Sequence, residues 1–289
     1  MKIKLITNLE QYNQWKKLNQ PGNIGLVPTM GNLHDAHLKL LKRSLKENEI
    51  SILTIFVNPL QFGEGEDFSN YPRTLKADLK KVKTLAKTIK DKAKQIIIFA
   101  PESEKVIFPI KYKKKIKAGP LGKILEGRFR PTHFDGVTTV VYRLFKIFKP
   151  DNAYFGQKDY QQLVIVQQMA KKFHFKTRIN PIEIGREHSG LAMSSRNKYL
   201  KPSEKKEALI LRRSILKIKK VLKEKGIKPA LELSKKIMER DDRFNYLELK
   251  NAQSLKNINK KTKNIVIVGT LQIGKTRLLD NEVIKYDGI

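Results

Sequence analysis

Five stretches of the sequence bring together side chains that could do chemistry. In VPTMGNLHDAHLKLL (27–41) an apolar run ends at Pro28, a glycine-containing turn follows, and His34 and His37 stand three apart as a helical pattern begins. A strand-to-helix turn on a parallel sheet is where nucleotides bind, because the helix start presents unpaired N–H groups and positive dipole to phosphate. Imidazoles in that first turn can donate to phosphate oxygens as negative charge builds on them. A bare His-x-x-His is more often a cap and a surface residue, so the weight rests on the whole strand–PTMG–HxxH combination. As a zinc site the pair lacks a third ligand in a recognisable spacing, since only His133, His174 and His188 remain.

IFVNPLQFGEGEDFSNYPRTLKADL (55–79) runs from a strand into a polar loop with Asn58, Gln61, Asp67, Tyr71 and Arg73. Amides at a strand's end suit a neutral, hydroxylated substrate, because each offers a donor and an acceptor. NP and GEG by themselves are turn chemistry. LEGRFRPTHFDGVTTV (125–140) places Arg128, Arg130 and His133 ahead of the apolar face of a helix. DNAYFGQKDYQQLVIVQQM (151–169) again reads strand, glycine turn, helix. Lys158 sits at its turn with Asp159 behind it, and Gln161 and Gln162 fall in the first helical turn. A lysine there is a point charge for triphosphate oxygens. GREHSGLAMSSRNKYL (185–200) carries two hydroxyls and an arginine after a glycine-containing loop, a set able to close over a triphosphate.

The elements that must position these groups follow from periodicity. IGLVP (24–28), SILTIFV (51–57), QIIIFA (95–100), NAYF (152–155) and FKTRIN (175–180) read as strands of a sheet buried on both faces. Helical patterns over 37–47, 73–91, 135–148 and 160–173 alternate with them, which argues for an α/β, doubly wound parallel sheet. Lys-rich helices at 203–225 and 228–240 then precede FNYLEL (244–249), NIVIVG (264–269) and RLLDNEVI (277–284). Helices grouped before strands predict a smaller α+β domain, with residues 1–184 and 185–289 as the two domains. KYKKKIKAGPLG (111–122) reads as a basic loop.

Composition narrows the class of protein. Among 289 residues, 40% are hydrophobic and 30% charged, which is globular usage. Cysteine is absent, removing disulfides, thiol nucleophiles and thiolate zinc sites. No apolar run approaches the ~18 residues of a membrane span. The N-terminal MKIKLITNLEQYNQW has no secretory apolar segment, so a soluble, cytoplasmic protein is expected. The net charge of +32 invites an RNA-binding reading, but lysine supplies 47 of the 60 basic residues and arginine only 13. Base and phosphate recognition favour arginine's rigid fork. The lysines alternate with Leu, Ile and Val as the wet faces of amphipathic helices, and no RNP, KH or zinc-finger pattern is present.

Taken in order, the five segments resemble the pantothenate synthetase (pantoate–β-alanine ligase) family, and YLEL (246–249) with TRLLDN (276–281) resembles that family's C-terminal domain. The likeness runs from about residue 25 to the end. It implies a Rossmann-like domain of the nucleotidyltransferase type, a smaller C-terminal lid domain and a homodimer; on composition and motifs, no membrane and no specific nucleic acid are expected among its partners. It also implies a reaction on magnesium-complexed ATP, in which pantoate is adenylated with loss of pyrophosphate and β-alanine then displaces AMP. No dedicated metal site of the protein is implied.

Carried over by motif, the resemblance places Met30, Gly31, Asn32, Leu33, His34, Asp35, Ala36 and His37 around ATP, with His34 and His37 at the phosphates and His37 in the acid role. Gly156, Gln157, Lys158 and Asp159 form a second nucleotide segment, with Lys158 reaching the phosphates. Met193, Ser194, Ser195 and Arg196 form the second phosphate loop, and the Gly185 backbone approaches adenine. Gln61, with Asn58 nearby, and Gln162 match the pantoate positions, Gln61 bordering the β-alanine site. Three departures stand out: Ala36 where the family prefers glycine, Gly185 where a branched apolar residue is usual, and Gln157 for a common acidic residue. A different adenylyl-transferring relative shares the histidine pair and Ser-rich loop, but the glutamine-bearing loop and THFDG argue against it. GTLQIGKT (269–276) satisfies the Walker A pattern after the apolar NIVIV. A P-loop needs a following helix, whereas RLLDNEVI reads as short strands around an Asp-Asn turn, so this motif is expected to be a decoy.

Overall fold

The computed structural model describes residues 1–89, 94–112 and 114–288; the helical expectation at 90 and 91, and position 113 of the basic loop, lie outside the described residues. The chain divides into two compact units, Met1–Gln157 with Ile165–Glu183, and Lys158–Val164 with Ile184–Ile289.

The first unit alternates strand and helix. Its elements are β1 (Lys2–Ile6), α1 (Leu9–Asn19), β2 (Ile24–Thr29), α2 (Asp35–Glu47), β3 (Ile50–Ile55), α3 (Leu75–Thr88) and β4 (Gln95–Phe99). After them come α4 (Glu104–Ile107), α5 (Glu126–Phe129), α6 (His133–Phe148), β5 (Asn152–Gly156), α7 (Tyr160–Lys172), whose first turn, to Val164, belongs to the second unit, and β6 (Arg178–Ile182). The six strands are all parallel in the order β1-β4-β3-β2-β5-β6. Side chains alternate across a strand, so Val27, Leu53, Ile96 and Ile98 pack with Leu41 and Leu45 of α2 and Val82 of α3. On the other face Phe99 meets Phe148 of α6 edge-on, with ring centroids 5.1 Å apart, and Phe148 meets Tyr12 of α1 at 4.9 Å. Helices therefore cover both faces, as the continuous apolar strands require.

Several strands differ from expectation, β3 among them, which spans Ile50–Ile55 rather than 51–57. β1 is absent from the sequence reading because it is an edge strand whose lysines alternate with Ile and Leu, and only Ile6 is fully buried. β6 lies later than the expected 175–180 and runs through Pro181, which is tolerated because β6 is the other edge. β2 extends one residue past Pro28, to Thr29.

The second unit packs α8 (Pro202–Lys225) and α9 (Ile227–Arg240) on an antiparallel sheet of β7 (Phe244–Asn251), β8 (Asn264–Ile273) and β9 (Thr276–Lys285). Leu211, Ile215, Ile218 and Leu222 of α8 form the apolar stripe, and each is worth about 1.5–3 kcal/mol when fully buried. Here the expected turn at Asp280-Asn281 is replaced by a continuous strand, β9 pairing with β8 from Thr276 to Lys285. Asp280 pairs with Arg186 and Asn281 donates to the Lys158 carbonyl, so neither acts as turn chemistry. The Walker-like sequence is instead the β8–β9 hairpin, with Gly274 at φ 53° and exposed Lys275 in its two-residue turn. Glycine at the first central position is the requirement of a hairpin turn, and strand rather than helix follows Thr276.

Candidate active site

The order β4-β3-β2-β5-β6 reverses direction between β2 and β5. At such a switch point the chains leaving the two strands diverge and open a crevice at their carboxyl ends. The chain leaving β2 is Met30–His37 and that leaving β5 begins at Gly156. The motifs predicted to hold a nucleotide therefore start at the place where a parallel sheet has room for one.

The Met30–Leu33 turn is tightly held. Gly31 (φ 81°) and Asn32 (φ 48°) are left-handed in succession, and a Cβ on Gly31 would lie 2.9 Å from Ile55. Thr29 Oγ1 donates to Thr54 O at 2.6 Å and accepts from Gly31 N–H at 3.2 Å. The fully buried Asp78 of α3 accepts from Asn32 N–H at 3.0 Å and Leu33 N–H at 2.8 Å, and Lys81 donates to Leu33 O at 2.5 Å. His34 then takes the N-cap position of α2, with Asp35, Ala36 and His37 in the first turn. The two imidazoles lie with ring centroids 4.1 Å apart, and His34 N–H donates to His37 Nδ1 at 3.4 Å. With Nδ1 accepting, the proton of a neutral His37 resides on Nε2.

Buried Asn58 organises the amide loop. Its Oδ1 accepts from Leu60 N–H at 3.3 Å, while Nδ2 donates to Gly136 O and Gln61 Oε1, both at 3.2 Å. Gln61 Nε2 reaches Met30 Sδ at 2.9 Å, so the amide loop and the β2 turn are brought together. Gly136 of α6 makes this possible: a Cβ there would sit 2.0 Å from Leu60 O. From α6, His133 Nδ1 donates to Gln61 O at 2.7 Å, while Arg130 Nη1 lies 3.3 Å from its Nε2. Arg130 has only donors, so a hydrogen bond at that contact requires His133 Nε2 as the acceptor. Arg130 also pairs in a fork with Glu66, at 2.9 and 2.5 Å. Burial pushes the Glu66 carboxyl up, but the hydrogen bonds and charge of Arg130 outweigh it and hold the group below the usual glutamate value. Arg128 is not part of this fork; it lies over the Phe129 ring, 5.9 Å from its centroid.

In the second unit, Lys158 Nζ lies 3.1 Å from Asp159 Oδ1, Gln161 is buried and Gln162 half-buried. Met193 N–H donates to the carbonyl of buried Gly185 at 2.8 Å. Ser194 caps the 3-10 turn Ser195–Tyr199 by accepting from Arg196 N–H at 3.2 Å. Lys158 and Ser194 line one shallow cleft with Asp280. Gln157, by contrast, bonds within the first unit, its N–H donating to Ile182 O at 2.8 Å. Sequence reasoning did not single out Thr29, Glu66 or Asp78 for these tasks. Asp78 reads as an ordinary acidic residue in a helix's first turn, and no local signal marks it as the anchor of a turn 46 residues earlier.

A family model described as pantoate-beta-alanine ligase matches residues 3–283. The chain belongs to the pantoate-beta-alanine ligase family. The match takes in β1 and α1, so the likeness extends well before the residue 25 at which the motifs begin. The pantothenate synthetase of Aquifex aeolicus is 42% identical over 266 residues, 89% of this chain and 90% of that protein. That of Acetivibrio thermocellus is 40% identical over 267 residues, 91% of this chain and 92% of that protein. Among solved structures, the pantothenate synthetase of Thermus thermophilus superposes with a TM-score of 0.86 at 33% identity, covering 96% of this chain and 98% of that one. A pantoate-beta-alanine ligase from Francisella tularensis, complexed with beta-gamma ATP and beta-alanine, gives a TM-score of 0.71 at 32% identity over 97% of each chain. No described helix is long and apolar enough to cross a membrane.

Proposed function

We propose that this enzyme joins pantoate to β-alanine in two steps driven by magnesium-complexed ATP. A pantoate carboxylate oxygen attacks the α-phosphorus, the bond to the bridging oxygen breaks, and pyrophosphate leaves. The β-alanine amine then attacks the acyl carbon of the adenylate, the acyl C–O bond breaks, and AMP leaves as the amine sheds a proton. The observation that carries this reading is the contact between Gln61 and Met30 at the switch point, which puts an amide-bearing loop against a nucleotide-type turn.

An anion attacking an anion must have charge neutralised and its reactants aligned. We assign the phosphates to His34, His37, Lys158, Ser194, Ser195 and Arg196, with His37 as the acid. Its Nε2–H is the donor that the Nδ1 hydrogen bond leaves in place. Met30–His37, Gly156–Asp159, Gly185 and Met193 complete the ATP site. Pantoate is assigned to Gln61 and Gln162 with Asn58 in support, and β-alanine to the border of Gln61. The metal travels on the ATP phosphates. Shielding of the adenylate from water is the task assigned to the second unit. Homodimeric assembly and a cytoplasmic location belong to the same proposal, the assembly resting on the resemblance.

Pyrophosphate exchange into ATP is expected to require pantoate and to proceed without β-alanine, because adenylation comes first. Exchange that runs equally with an unrelated carboxylate, or that demands β-alanine, would refute the two-step reading. Lys275→Ala, at the exposed tip of the β8–β9 hairpin, is expected to leave the ATP requirement and the exchange rate within about twofold, as for a surface substitution. A large loss of ATP binding in that folded variant would move the nucleotide site to the hairpin.

A further inference from the structure

Asp280 and Asn281 lie mid-strand in β9 with 4% and 2% exposure, an unusual place for two adjacent polar residues. The pairing of β8 with β9 does not call for them, since a ladder is made by backbone groups. Their partners are Lys158, which is assigned to ATP, and Arg186, which follows Gly185 of the assigned ATP site. Asn281 Nδ2 donates to the backbone carbonyl of Lys158 at 2.8 Å, and Asn281 N–H donates to Asp280 Oδ1 at 2.8 Å. Asp280 in turn accepts from Arg186 Nη1 and Nη2 at 2.8 and 2.9 Å, and Arg186 Nη1 also donates to Gly190 O at 3.1 Å. Arg186 bridges Ala192, so the loop that ends in Ser194–Arg196 is braced on the same two side chains.

We propose that Asn281 is a positioning residue for adenylation: by holding the Lys158 carbonyl it fixes the peptide from which the lysine side chain projects, with Asp280 and Arg186 as its brace. The proposal rests on the assignment of Lys158 to the ATP phosphates. Losing the bond lets the ammonium drift, and small misplacements of a charge that stabilises a transition state are costly in rate.

The test is a double-mutant cycle on pantoate-dependent pyrophosphate exchange with the full-length protein. Asn281→Asp keeps the side-chain shape and replaces the donor with an acceptor. It is expected to lower the maximal rate about tenfold or more, with the KM for ATP changed less than the rate. In a Lys158→Ala background the same substitution is expected to change the rate by less than about twofold, because residues acting as one unit are not additive. An equal factor in both backgrounds, or a wild-type rate for Asn281→Asp, overturns the positioning role while leaving Lys158 in place. A near-wild-type rate for Lys158→Ala overturns the assignment of Lys158 itself, and the proposal with it. Should Asn281→Asp fail to fold, Asn281→Ser, too short to reach the carbonyl, takes its place in the cycle. Failure of both to fold assigns Asn281 to stability alone and overturns the proposal.

Discussion

Replacing Lys158 with alanine is expected to slow pantoate-dependent adenylation about 10²–10³-fold, the usual loss when one charge-stabilising donor is removed from a reacting centre. The fold should not suffer. The side chain retains 20% exposure, and its ion pair is with Asp159, itself 49% exposed. Pairs so open to solvent contribute roughly 0–1 kcal/mol. Its backbone carbonyl, which Asn281 holds, is unchanged by the substitution. Circular dichroism and Tm should therefore match the parent while the exchange rate collapses. A folded Lys158→Ala protein with near-parental turnover would remove this lysine from the chemistry.

Asp78→Ala is expected to be the most destabilising change at the site. The substitution leaves Asn32 N–H and Leu33 N–H without their acceptor, in a turn that carries two successive left-handed residues. Each unsatisfied buried donor costs about 1–3 kcal/mol, so Tm should fall by about 5–15 °C for a unit of this size. The same turn delivers His34 to the N-cap of α2, so the ATP requirement should rise about tenfold alongside. Asp78→Asn retains one acceptor oxygen and should lose about half as much stability. Thermal melts and ATP titration of the exchange reaction check both readouts. An Asp78→Ala protein that melts with the parent would show that the turn is held by other means.

Much of this architecture was legible because it is local. The apolar runs of β2, β3, β4 and β5 and the helical spacing of α2, α6 and α8 are set by periods of two and 3.6 residues. A glycine turn between strand and helix announces itself in about five or six residues, so the Met30–His37 and Gly156–Asp159 segments could be found before any fold was known. The resemblance to the ligase family rested on the same short stretches.

Other features depend on residues far apart in the chain, and there only the tertiary structure decided. β1 is a strand because β4 accepts it at the edge of the sheet, not because its alternating lysines demand one. The Asp-Asn pair of β9 reads as a turn in isolation, and becomes strand because Arg186 and the Lys158 carbonyl, 94 and 123 residues away, satisfy the two side chains. Asp78 reaches back 46 residues to hold the nucleotide-type turn, and Glu66 pairs with Arg130 across 64. Sequence patterns report which face of an element avoids water, a property each segment carries alone. Which buried polar groups satisfy one another is settled only when distant segments meet, and in this protein that is what sets the geometry of the site.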